Sequence, residues 1–108
     1  MIKATFYLNH DDKYVGFDIA GHAGYAESGS DIICASVSSL SITTVNAVEA
    51  FTDLEFEGNL DENGSIHFRF TSNLDEKGQL LLSTLALGLT DISKEYGEKY
   101  LQVHYKEV

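Results

Sequence analysis

The chain holds one cysteine, Cys34, and the residues ahead of it are types that nucleophilic chemistry can use. Gly21-His22-Ala23-Gly24 opens a glycine-rich stretch that passes Gly29, Ser30 and Asp31 before reaching Ile32-Ile33-Cys34-Ala35, and Ser38 lies one helical turn beyond the thiol. A thiolate attacks where a thiol does not. A helix N-terminus or a cationic neighbour lowers a cysteine pKa from about 8.5 into the range of roughly 3.5–7.5. Attack also needs a base close by, and often a third group that orients the base. His22 is the histidine that a return of the chain would bring back to the start of the helix carrying Cys34. Asp31 has three possible tasks: capping that helix, holding His22 in the useful tautomer, or binding a substrate amine. Gly21, Gly24 and Gly29 let the backbone bend and bring amides close to a developing oxyanion. Ser38 can hydrogen-bond near the site or back to its own helix.

Each residue also has a plainer role. Cys34 suits a small buried hydrophobe, Asp31 a helix cap, and the glycine stretch an ordinary loop. His10 falls in a turn, and His67 and His104 on polar sides of strands, where solvated residues are expected. Other chemistries fit poorly. One cysteine cannot anchor a structural zinc site, and without a Cys-x-x-Cys pair dithiol exchange has no basis. Arg69 is the only arginine, too little for a cysteine phosphatase in an acidic segment. The glycines lack the Gly-Lys-Ser/Thr of a P-loop. Acyl transfer at a peptide bond is the chemistry that remains, and it calls for no cofactor and no metal.

The elements that would position these residues can be read from periodicity. Ile2, Ala4, Phe6 and Leu8 alternate with polar residues, as do Val15, Phe17 and Ile19, with Asn9-His10-Asp11-Asp12 turning between them; this is a β-hairpin. From Asp31 to about Phe51, Ile33, Val37, Leu40, Val48 and Phe51 recur at helical spacing. The Ser and Thr content opposes a helix, but the run is far too long for a strand. Ser30 is expected as its N-cap, Asp31 as a charge complementing the dipole, and Ile32, Ile33 and Ala35 as inward-facing. A second hairpin follows: Leu54, Phe56 and Leu60, a turn at Asp61-Glu62-Asn63-Gly64, then Ile66, Phe68 and Phe70. Asn73 to Glu76 has capping-box spacing and precedes a helix expected to bury Leu81, Leu85, Ile92 and Tyr96. Gly88 suggests close packing within it and Gly97 its cap. Lys99 to Lys106 forms a last strand.

The order β-β-α-β-β-α-β implies an α+β fold, a largely antiparallel sheet covered by two long helices. At 108 residues it is read as one domain, 1–108, large enough to hold a core without disulfides. Met1-Ile2-Lys3 leads into the first strand rather than an apolar leader, and no run looks long enough to cross a bilayer, so a reducing cytoplasmic setting is expected. A net charge of −10 repels nucleic acid and attracts basic partners.

With these residues in view, the sequence resembles the bacterial ribosomal-processing cysteine protease Prp family. The resemblance rests on Gly21-His22-Ala23-Gly24-Tyr25-Ala26, Gly29, Asp31-Ile32-Ile33-Cys34-Ala35 and Ser38, and extends over essentially the whole chain. It implies that Cys34 is the nucleophile, that His22 is its general base and acid, and that Asp31 belongs to the same motif. Gly24 to Ser30 would be a cover over the substrate, and Tyr25 with part of the first helix would form walls of an apolar groove. The implied activity is endopeptidase removal of a short N-terminal extension from a large-subunit ribosomal protein, needed for ribosome assembly, by a homodimer. Two other readings compete: a non-enzymatic assembly factor that binds a basic ribosomal protein through the acidic surface, and a thiol redox sensor.

Overall fold

The computed structural model describes residues 1–24 and 31–108. Its elements run β1 (Ile2–Leu8), β2 (Tyr14–Gly21), α1 (Ile32–Phe51), β3 (Phe56–Leu60), β4 (Ile66–Phe70), α2 (Glu76–Tyr96) and β5 (Leu101–Glu107). The element order is the one the periodicity implies. Strand order, which periodicity cannot give, is β3-β4-β2-β1-β5. Three of the four pairings are antiparallel; β1 and β5 run parallel, with Ile2 opposite Leu101.

One face of the sheet is apolar because alternate residues of each strand point to it. Ile2, Ala4, Phe6, Phe17, Ile19, Ile66, Phe68 and Leu101 are buried there. Phe68 is the hub, its ring centroid 5.3 Å from that of Phe17 and 5.0 Å from those of Phe56 and Phe70. Ile33, Val37 and Val48 of α1 and Leu82, Leu85, Ala86 and Leu89 of α2 close over the same core. Both helices therefore act as crossovers on the apolar face.

Several expectations are corrected. Leu8 pairs with Tyr14 while Tyr7 pairs with Gly16, so Val15 is an extra residue in β2. That bulge shifts the side-chain phase, and Tyr14, not Val15, packs on the core, edge-on to Phe6 at 5.7 Å. Asp31 is itself the N-cap of α1, and Asp75 rather than Asn73 caps α2. Of Ile32, Ile33 and Ala35 only Ile33 is buried. Leu40 and Phe51 are exposed, and Leu82 takes the central core place given to Leu81, which with Ile92 and Tyr96 is half-buried. α1 is, by length and apolar composition, long enough to cross a membrane, contrary to the expectation, although here it is packed on the core of the domain.

Other details held. Gly97, at φ +110°, ends α2, and a Cβ on Gly88 would stand 3.2 Å from Leu40 Cδ1, the close helix contact its position suggested. The Ser/Thr-rich α1 is held helical by packing Ile33, Val37 and Val48 on the core, while Ser36, Ser41 and Thr44 donate their hydroxyls to carbonyls one turn back. Polar side chains that would otherwise compete with the helix are thereby satisfied within it.

Candidate active site

The end of β2 and the start of α1 meet at one edge of the molecule. Gly21 shapes that meeting: at φ +97° a side chain is disfavoured, and a Cβ would lie 2.3 Å from the Met1 carbonyl oxygen. The backbone therefore passes tightly against β1 before releasing His22 to the surface. Ala23 then tucks back into the core, and its N–H points at the Cys34 Sγ, 3.3 Å away.

Across this junction lies a cleft of about 160 Å³. Gly21 and His22 line it from the β2 side, Cys34 and Ser38 from α1, and Asn63 and Gly64 from the β3–β4 turn. The fold thus brings His22, Cys34, Ser38 and Gly21 to one cavity. Gly24, at φ +69°, is exposed and does not line the cleft. Tyr25 and Gly29, with Ser30, lie outside the described residues. Asn63 and Gly64 were legible only as a turn. β4 pairs with β2, Ile19 opposite Ile66, which carries that turn to the site, and the pairing could not be read from periodicity.

Asp31 sits behind the thiol. Its carboxylate accepts from the N–H groups of Ile33 at 3.0 Å and Cys34 at 3.1 Å, capping α1. This changes the electrostatics expected of Cys34. The helix-end amides that were to favour a thiolate are already taken by a negative charge. Burial pushes the Cys34 thiol pKa up, the Ala23 N–H pulls it down, and the hydrogen bond and charge of Asp31 push it further up. The net direction is upward, which favours the neutral thiol, whose proton must leave as the sulfur attacks.

The other histidines stand apart from the cleft's sulfur. His10 is in the β1–β2 turn and His104 faces solvent beside Gln102. His67, expected to be simply solvated, is held between carboxylates, with Nδ1 3.0 Å from Asp18 and Nε2 3.7 Å from Asp61.

A half-buried thiol and an imidazole on one cleft, carried by an α+β frame, are the equipment of a thiol hydrolase, and comparison with known proteins narrows the class to cysteine proteases. The sequence model described as "Cysteine protease Prp" matches residues 1–101. The chain belongs to the cysteine protease Prp family. It is 35% identical to the ribosomal processing cysteine protease Prp of Bacillus subtilis, over 89% of this chain and 90% of that one. It is 33% identical to the protein of the same description from Staphylococcus aureus, over 98% and 100%. A crystal structure of the S. aureus protease Prp with a covalently linked product peptide superposes with a TM-score of 0.92 at 32% identity, covering 98% of this chain and all of that one. A second, with a substrate peptide, gives 0.87 at 30% identity over the same shares. These relatives make the protein an enzyme and set aside the non-enzymatic reading.

Proposed function

We propose that this protease is the endopeptidase that removes the short N-terminal extension of a bacterial large-subunit ribosomal protein, with Cys34 as nucleophile and His22 as general base and acid. The observation that carries the proposal is the shared cleft of His22 and Cys34 with the Ala23 N–H on the sulfur. The relatives described as ribosomal processing proteases supply the substrate class.

The chemistry follows from a neutral resting thiol. His22 takes the Cys34 proton as Sγ attacks the scissile carbonyl, so charge separates only while substrate excludes water from the cleft. The imidazolium then protonates the departing amine, leaving an acyl group on Cys34 that water removes. Asp31 holds the first turn of α1, and so the sulfur, in position. Gly21 presents His22, and Ser38 and Gly64 border the bound chain. We place the enzyme in the cytoplasm, where a single thiol stays reduced, as one 1–108 domain acting as a homodimer. Exposed apolar side chains on the outer helix surfaces, Leu40 and Phe51 of α1 and Leu80 and Leu87 of α2, favour that association.

The test is to incubate the enzyme with the ribosomal protein in its extended and mature forms and measure both masses. Loss of the extension alone, with the mature form intact, is expected. An uncut extension, or cuts throughout the mature chain, contradicts the assignment.

A further inference from the structure

A second cavity, about 320 Å³, adjoins the catalytic cleft. One wall is α1, through Ile42, Val45 and Glu49; the other is β3, through Phe56, Gly58 and Leu60. Ile66 lines both cavities, so they lie side by side. The helix repeat gives the same result: Cys34, Ser38, Ile42 and Val45 follow one another at spacings of three or four residues, a single stripe running away from the sulfur. β3 is an edge strand of the sheet, its outer side unpaired by any described strand, and two large apolar side chains on the second cavity, Leu60 at 59% and Ile42 at 41%, are exposed. At the far end Glu49 has no cation within ion-pair distance among the described residues.

We propose that the second cavity holds the substrate's own chain, an extended segment leading away from the scissile bond and ending on a lysine or arginine that meets Glu49. The proposal rests on Cys34 as the nucleophile. At about 1.5 Å per residue, Glu49 stands about 22 Å along α1 from Cys34; an extended chain at about 3.3 Å per residue crosses that in six or seven residues. Apolar side chains along the segment would cover Ile42 and Leu60, and its backbone can pair with the edge of β3. Gly58 keeps the groove open. A Cβ there would stand 3.7 Å from Val45 Cγ1 and 3.5 Å from the Phe56 ring, ordinary contact, so a larger residue fits the fold and fills the groove.

Two peptide series test this, one lengthened on each side of the cut from three to seven residues, with or without a terminal lysine. For the wild type, kcat/KM should rise in one series by roughly tenfold, the equivalent of about 1.4 kcal/mol, and most when the lysine is present. Gly58→Val should cut the shortest peptide at the wild-type rate and lose the rise. Glu49→Lys, on the exposed helix surface, should lose only the part due to the lysine. No rise in either series, a full rise in both variants, or an equal loss on short and long peptides in Gly58→Val overturns the proposal. Failure of the nucleophile assignment looks different: Cys34→Ala would then cut the shortest peptide as fast as the wild type.

Discussion

Cys34 shows how local geometry redirects a chemical expectation. A position in the first turn of a helix suggested a thiolate, but Asp31 occupies the amides that would stabilise it, and burial favours the neutral form. Replacing Asp31 with Asn separates cap from charge, since the two residues cap about equally well. Asp31→Asn should keep the thermal stability of α1 and lower the Cys34 pKa, because the charge that raised it is gone. The rate of alkylation against pH would show its midpoint moving down; an unmoved midpoint would show that Asp31 does not act on the sulfur. The motif residues His22, Cys34 and Ser38 were legible in the sequence because their spacing in the chain survives as nearness in space. The thiol's electrostatics were not legible, because burial of the sulfur and a one-residue difference in cap both raise its pKa, and periodicity gives neither.

Among the elements, the open face of the sheet carries its own fastening. Asp18 of β2 accepts from Arg69 Nη1 at 3.0 Å and Nη2 at 3.1 Å, from the Tyr7 hydroxyl at 2.6 Å, and faces His67 Nδ1 at 3.0 Å. This ties β1, β2 and β4 together, with the Arg69 guanidinium 4.2 Å from the Tyr7 ring centroid. Burial works against ionisation of Asp18, but the hydrogen bonds from Arg69, Tyr7 and His67 outweigh it and hold the pKa down at about 2. A carboxyl whose pKa falls on folding stabilises above its unfolded value, near 3.8, and loses that contribution as pH falls through about 2. The group is part-exposed, so screening leaves on the order of 1 kcal/mol. Asp18→Asn should be less stable than the wild type by about that amount at pH 6, with the gap closing towards pH 2 in urea unfolding. A gap independent of pH would contradict the fastening. The strands themselves were legible because apolar and polar residues alternate along most of each one. The bulge at Val15 and the pairing of β4 with β2 were not, since both depend on partners that alternation does not name.

Taken as a whole, the molecule is acidic on a scale that matters to its partners. Its net charge of −10 favours encounter with basic proteins over RNA, and such steering weakens with salt because the field is screened beyond roughly 10 Å at 0.1 M. The outer helix surfaces tell a different story. Helical spacing marks Leu40 and Phe51 as core and gives no place to Leu80 and Leu87, because it cannot separate a face turned to the sheet from one turned to a second copy. If they meet a second copy, sedimentation of the wild type should show a dimer and Leu87→Glu a monomer, with the fold retained by circular dichroism. Two monomers, or two dimers, would remove this face from the account.

The central claim, that Cys34 forms the acyl intermediate, is tested most directly by quenching the enzyme with acid during turnover of an extended peptide and locating the adduct by mass spectrometry. The account predicts a mass increase equal to the N-terminal fragment less one water, mapped to the peptide containing Cys34, and its absence in Cys34→Ala together with lost cleavage. Cleavage that persists in Cys34→Ala, or an adduct on any other residue, would contradict it.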